Sequence, residues 1–173
     1  MITLETVVRL DGIRGMDVFD FFITCDDARY QEWWPGTHLQ FHTVRRKPGN
    51  VGSIVFMDEY IGKERLRMHA VVMKADPGKA LVVQLTFLIR LPFLVHIITE
   101  DGDGFVTLRH RIEAGFRGAG RILDPLLRAV FVKSHAAAID EHARTEFPKL
   151  RDMLFRKNSG RGEASRGINP AGR

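Results

Sequence analysis

The chain has 173 residues, of which 45% are hydrophobic and 27% charged, a composition typical of one globular domain with a sizeable core. Its net charge is +5, but residues 156–173 hold five Lys/Arg and one acidic residue, so the first 155 residues carry +5 − 4 = +1, which argues against a strongly basic nucleic-acid-binding domain. The single cysteine, Cys25, excludes an internal disulfide and is typical of a reducing compartment, and no apolar run suits a signal peptide or a transmembrane helix.

The first 33 residues predict one strand and two short helices. Residues 2–10, ITLETVVRL, read as a strand that the segment DGIRG ends. Asp17 is suited to cap a helix over 18–24, and DDARYQEW, at 26–33, predicts a second short helix.

Turn residues then recur at the spacing of an antiparallel meander. Six strands are predicted, at 39–46, 53–61, 65–75, 80–89, 93–99 and 105–113, joined by short turns rich in Pro, Gly and Asp. Residues 121–154 contain no glycine and are rich in Leu, Ala, Arg and Glu, which predicts one long helix. Pro148 lacks a backbone donor and favours a bend there.

Residues 156–173 have the composition of a disordered basic tail, because they are rich in Gly, Ser and Arg and poor in apolar side chains. The folded domain is therefore expected to span residues 1–155. A solvated tail is the first interpretation, and an electrostatic arm for nucleic acid or anionic lipid is the alternative.

The element order predicts an α+β fold in which a seven-stranded antiparallel sheet wraps around the long C-terminal helix. Such a sheet has one apolar face to cover, and only the long helix is available to cover it. We expect a space between the sheet and the helix, closed at one end by the short helices and loops.

Three segments resemble the START-like (SRPBCC) superfamily, which includes the polyketide cyclase/dehydrase and lipid transport proteins and the Bet v 1-like proteins. They are VFDFFITCDD…WWPGT after the first strand, the hairpin GDGFVTLRHRIE, and the helix end EHARTEFPKLRDML, and the resemblance covers roughly residues 2–155. It implies a helix-grip fold around an apolar ligand cavity. It implies no catalytic motif, because the superfamily shares none, and we expect no cofactor.

Three functions remain open on this basis. The first is binding of a small apolar ligand (a lipid, a quinone or an aromatic polyketide-like compound) by a cytoplasmic carrier or sensor, a monomer or homodimer whose folded domain binds no nucleic acid. The second is a cyclase or dehydratase with His110 and Glu59 as candidate acid–base groups. The third is a protein-interaction module with a vestigial cavity. The sequence contains no GxSxG, P-loop, GxGxxG or CxxC motif.

Turn positions assign the inner face of the sheet, since residues opposite each other across a hairpin share a face. The predicted pairs are Val72–Val83, Ala70–Leu85 and Met68–Phe87 around Pro77-Gly78, Met57–Met68, Val55–Ala70 and Glu59–Leu66 around Gly62-Lys63, and Ile97–Leu108 and Val95–His110 around Gly102-Asp103. This face is apolar except for His110 and Glu59, and Glu59 is expected near the rim.

The residues predicted to bind the ligand are Trp34, Met57, Glu59, Met68, Phe87, Val95, Ile97, Leu108 and His110. Because Trp33 and Trp34 are adjacent, they cannot both point into one core. We expect one to pack under the sheet edge and the other to close the cavity mouth, with two structural anchors as the alternative.

The histidines divide into one cavity candidate and several without a clear role. His110 would project into the apolar space, where it could bond a ligand carbonyl or hydroxyl or act as an acid–base group, unless it is an ordinary core histidine. His38 and His42 are four apart on a predicted strand or its approach, and His135 and His142 are seven apart on the helix. Neither pair has a carboxylate at a known ligand spacing, so no metal site is assigned.

Overall fold

The computed structural model describes residues 2–86, 90–116, 118–125 and 133–166. The elements in chain order are β1 (Ile2–Asp11), α1 (Gly15–Thr24), α2 (Asp27–Trp33), β2 (His38–Arg45), β3 (Ile54–Ile61), β4 (Glu64–Asp76), β5 (Ala80–Thr86), β6 (Arg90–Asp101), β7 (Phe105–Ala114), a 3-10 helix (Gly118–Leu123) and α3 (Lys133–Arg166). The seven strands form one antiparallel sheet in the order β1-β7-β6-β5-β4-β3-β2. This confirms the predicted α+β helix-grip architecture.

Two short helices link β1 to the far edge strand β2. In α1 the first turn is closed by Asp17, whose carboxylate accepts from the Arg14 backbone N–H at 2.8 Å. The helix therefore begins at Gly15, three residues earlier than predicted, and Asp17 acts from inside its first turn. Asp26 caps α2 by accepting from the Arg29 backbone N–H at 2.9 Å.

The hairpin registers match the prediction in two cases and differ in one. Met57 lies opposite Met68 and Ala70 opposite Leu85, as expected for the β3–β4 and β4–β5 turns. In the β6–β7 hairpin, however, Ile97 lies opposite His110, two residues away from the predicted register. The turn is centred on Asp103-Gly104, because Gly104 supplies the positive φ that the turn needs, at 74°. A shift of two residues leaves each side chain on the predicted face.

Helix α3 covers the inner face of the sheet. Its buried apolar side chains are Ala143, Phe147, Leu150, Met153 and Leu154, and they join the core formed by the sheet, α1 and α2. The helix continues through Pro148. Its predicted N-terminal part overlaps residues 126–132, which lie outside the described residues.

The predicted basic tail is helical in its first part. Helix α3 continues to Arg166, eleven residues beyond the boundary predicted at residue 155. Asn158 donates from its side-chain amide to the Asp17 carboxylate at 3.3 Å, an exposed contact between the tail and α1. Residues 167–173 lie outside the described residues, and a solvated tail remains our proposal for them.

No helix among the described residues is both long enough and apolar enough to cross a membrane.

Cys25 is a packing residue of the core. Its thiol is 6% exposed, at the C-terminal end of α1, and burial raises the pKa of the thiol to about 12. Since the thiolate is the reactive form, a raised pKa keeps Cys25 protonated and inert at pH 8. We expect a thiol reagent to label fewer than about 5% of native chains at that pH within minutes, and all chains in denaturant. Rapid full labelling of native protein would contradict the buried position.

Candidate functional site

A cavity of about 580 Å³ lies between the inner face of the sheet and α3. Most of its lining side chains are apolar, and its polar groups are few. Exposed Lys63 and Glu64 at the β3–β4 turn also line it, which places an opening to solvent beside that turn. The lining residues are Phe22, Tyr30, Trp33, Phe41, Val55, Met57, Glu59, Ile61, Gly62, Lys63, Glu64, Leu66, Met68, Ala70, Leu81, Val83, Leu85, Leu91, Phe93, Val95, Ile97, His110, Ile112, Ala138, Ile139, His142, Glu146 and Phe147.

Most of the residues predicted from the hairpin registers line this cavity. Among the predicted ligand-binding residues, those on its wall are Met57, Glu59, Met68, Val95, Ile97 and His110. Leu108 is fully buried in the core and does not line the cavity. Phe87 belongs to residues 87–89, which lie outside the described residues.

The two tryptophans have different positions. Trp33 is 4% exposed and lines the cavity, and its indole N–H donates to the backbone carbonyl of Glu146 at 2.6 Å. Trp34, the predicted cavity residue, is half-buried outside the lining, with its ring stacked on His142 at 4.8 Å. Lys149 lies over the Trp34 ring at 5.4 Å. Trp33, rather than Trp34, therefore contributes to the cavity wall.

Glu59 lies inside the protein and not at the rim, so that expectation is wrong. Its residue is 7% exposed, and the Tyr30 hydroxyl donates to its carboxylate Oε2 at 2.5 Å. Tertiary packing explains the burial of Glu59, because α2 brings the Tyr30 hydroxyl against the Glu59 carboxylate at the end of β3. The ring of His38, which pairs with Glu59 across β2 and β3, stacks on Tyr30 at 4.1 Å.

Four buried ionisable side chains meet against this wall, and we call them the His/Glu cluster: His38, Glu59, His142 and Glu146. Each offers one nitrogen or oxygen atom, and these four atoms lie within 4.8 Å of one another. The distances from His38 Nε2 to Glu59 Oε2 and Glu146 Oε2 are 3.6 and 3.5 Å, and those from His142 Nε2 are 3.8 and 3.3 Å.

Comparison with solved structures identifies the fold that carries this cavity. A Thermus thermophilus protein, TTHA0849, superposes with a TM-score of 0.62 at 8% identity, over 90% of this chain and 99% of that one. The Aha1 dimer of Colwellia psychrerythraea gives 0.55 at 14% identity, over 89% and 96%. The di-domain ARO/CYC StfQ of the steffimycin biosynthetic pathway gives 0.59 at 14% identity, over 92% of this chain and 52% of that one.

The chain has the START-like helix-grip fold. At these identities the likeness extends to the fold alone. No protein-family model matches the sequence, and a search of curated proteins gives no match.

In the cavity of this START-like fold, burial and neighbouring charges shift the pKa values of the cluster residues in opposite directions. Burial, together with the nearby Glu146 carboxylate, raises the pKa of Glu59. Burial also acts to raise the pKa of Glu146, but the nearby imidazoles of His142 and His38 outweigh it and lower that pKa. Although burial opposes it, the two carboxylates raise the pKa of His142. Among the two carboxyl groups, the protein side chains therefore favour ionisation of Glu146 over Glu59.

His110 is not a member of the His/Glu cluster. It lies on β7, opposite Ile97, and its ring is 5.6 Å from that of Phe147 on α3. Burial lowers the pKa of the His110 imidazole, so the ring is neutral at pH 7. No hydrogen bond from the described residues reaches this ring. A neutral imidazole in that position offers a ligand one donor and one acceptor.

Sequence reasoning weighed His38 and His142 but paired each with another histidine. His42 in fact contacts the Asp27 carboxylate at 2.8 Å, away from the cluster, and the side chain of His135 lies outside the described residues. Tyr30 and Glu146 were not singled out at all. The sequence contains one signal for this cluster. His142 and Glu146 are four residues apart on the predicted helix, and residues at that spacing lie on one face.

Proposed function

We propose that this chain binds a small apolar molecule in the cavity of its START-like fold, as a carrier or sensor. The observation that carries the proposal is the size and character of the cavity. Ligand pockets of about 300–1,000 Å³ hold drug-sized molecules, and 580 Å³ lies within that range. An apolar body such as a lipid chain, a quinone or an aromatic polyketide-like compound suits its walls.

The apolar walls of the cavity favour an apolar occupant. Each Å² of apolar surface that a ligand removes from water on binding contributes about 25 cal/mol. Flexible Met57 and Met68 on the wall adapt to the shape of such a ligand.

The polar groups define the kind of ligand further. His110 and three members of the His/Glu cluster (Glu59, His142 and Glu146) line the cavity with their polar side chains. Because an unpaired polar group in a buried site is costly, these groups favour a ligand whose apolar body carries a hydroxyl or carbonyl.

An enzyme is the second candidate, a cyclase or dehydratase in which His110 and Glu59 act as acid and base. The observation that favours it is the group of buried titratable side chains around an enclosed apolar space. StfQ, which is named as a di-domain ARO/CYC protein, has the same fold and supports an enzyme by analogy.

We further infer a cytoplasmic location, since the chain's one cysteine is a buried free thiol. A homodimer is compatible with the carrier as well as a monomer, because the Colwellia protein of the same fold is named as a dimer.

Filling the cavity tests the binding site. Ala70 lies on the inner face of β4 and lines the cavity, so Ala70→Trp places a large ring inside it. We expect this variant to lose binding of the uncharged fluorescent probe N-phenyl-naphthylamine by at least about tenfold, or about 1.4 kcal/mol, while its circular dichroism stays native. The smaller change Val95→Phe should weaken binding less.

The matched control is Val71→Trp, on the same strand but outside the lining. It should bind the probe as the parent does. If the parent protein never binds the probe, or if both tryptophan variants lose binding equally, the carrier proposal fails.

His110→Phe separates a carrier from an enzyme. The change conserves volume roughly and removes only the polar atoms of the ring. For a carrier, affinity for a ligand with a hydroxyl or carbonyl should fall by about 1–2 kcal/mol, the cost of one buried group left unpaired. For an enzyme, turnover should fall about a hundredfold with little change in binding.

His96→Phe is the control for this test. His96 lies on the other face of β6, 3.6 Å from Glu113, and does not line the cavity. Unchanged affinity and unchanged turnover in His110→Phe would make His110 an ordinary core histidine.

A further inference from the structure

We propose that the His/Glu cluster, formed by His38, Glu59, His142 and Glu146, binds one divalent transition-metal ion, with Zn²⁺ as the best fit. Two imidazole nitrogens and two carboxylate oxygens are a donor set that Zn²⁺ accepts. This metal-site proposal does not depend on which apolar ligand the cavity binds.

The spacing of the donor atoms fits an ion at their centre. Zn²⁺ bonds nitrogen and oxygen at about 2.0–2.2 Å, so two donors at adjacent corners of a tetrahedron lie about 3.3–3.6 Å apart. The four nitrogen–oxygen distances in the cluster are 3.3, 3.5, 3.6 and 3.8 Å. The remaining nitrogen–nitrogen and oxygen–oxygen separations are up to 4.8 Å, so closing the four donors by up to about 1 Å completes a tetrahedral site.

Hydrogen bonding leaves the same atoms without partners. Within the described part of the chain, both ring nitrogens of His38 and the Nε2 of His142 are buried and have no hydrogen-bond partner. The approach of His142 Nε2 to Glu146 Oε2 at 3.3 Å does not have hydrogen-bond geometry. Buried polar atoms are nearly always paired, so an unpaired nitrogen on each of two facing imidazoles points to a missing partner between them.

The charges of the cluster are compatible with a bound cation. Glu59 and Glu146 both lie in the protein interior, and two buried carboxylates cannot both ionise without nearby positive charge. A divalent ion bound by two carboxylates and two neutral imidazoles makes the whole cluster neutral. Lys63, Glu64 and His110 line the same cavity but are not members of the cluster.

The surrounding side chains hold the ligand atoms in place. Tyr30 donates to Glu59 at 2.5 Å, and its ring stacks on His38. Trp33 contacts the His38 ring edge-on at 4.5 Å and donates to the Glu146 backbone carbonyl. Each carboxylate oxygen has two lone pairs, so Glu59 Oε2 can accept from Tyr30 and still bind an ion.

The test uses the full-length chain without an affinity tag, freed of metal by chelator and dialysis. Isothermal titration with Zn²⁺ should give one ion per chain with a dissociation constant below about 1 μM, or about −8 kcal/mol. Co²⁺ titrated in place of Zn²⁺ should give the intense visible absorption of a tetrahedral complex. No saturable binding, or the weak spectrum of octahedral Co²⁺, would overturn the proposal.

Variants locate the ion. His38→Ala and Glu146→Gln should each weaken Zn²⁺ binding by at least about 100-fold, the upper end of what even an outer-shell change costs. The control is His42→Ala, on the same strand as His38 but bound to Asp27. Equal losses in His38→Ala and His42→Ala, or unchanged binding in both cluster variants, would mean that the ion binds elsewhere.

If the cluster is needed for folding, these variants unfold and their loss of Zn²⁺ binding does not locate the ion. Zinc K-edge absorption of the unmodified protein therefore provides a measurement that needs no variant. It should show four light ligands, two of them imidazoles. A spectrum without imidazole scattering would overturn the assignment.

Discussion

One helix, α3, has to cover the apolar face of a seven-stranded sheet, and the rest of the site depends on how it does so. A helix with its side chains is only about 10–12 Å across, so it cannot fill the whole space that a wrapped sheet encloses. Buried Leu150 packs in the core, while Ala138, Ile139 and Phe147 border the cavity. The cavity is the space that remains between the helix and the sheet.

The same helix also carries half of the polar wall. His142 and Glu146 face β3 from successive turns of α3, and Glu59 and His38 face them from the sheet. Placing ionisable groups beside an apolar cavity costs stability unless they neutralise one another or bind something. In the two proposals made above, an apolar ligand occupies the cavity and a cation binds the buried carboxylates.

Local sequence patterns predicted the strand pairing of the sheet better than they predicted the residues of the functional site. The β3–β4 register follows from a two-residue turn, and the β4–β5 register holds at Ala70 and Val72 although that turn has three residues and a bulge follows Val72. Met57, Met68 and Ala70 therefore lie on the predicted inner face. The β6–β7 register was wrong because the prediction centred the turn on Gly102-Asp103, whereas the positive φ of Gly104 moves the turn one residue along the chain. Glu59 was misplaced because its burial depends on Tyr30, which reaches it from α2 through tertiary packing. For the same reason the His/Glu cluster was missed, since its members come from separate parts of the chain.

The central claim is that the apolar ligand occupies the space beside Trp33. Trp34→Phe leaves Trp33 as the only tryptophan, and heavy-atom quenching by a brominated alkane requires contact with the indole. We expect saturable quenching in this variant equal to that of Trp33 in the parent, because Trp33 lines the cavity and Trp34 does not. Loss of quenching in Trp34→Phe, with quenching retained in Trp33→Phe, would place the ligand outside the cavity and contradict the account.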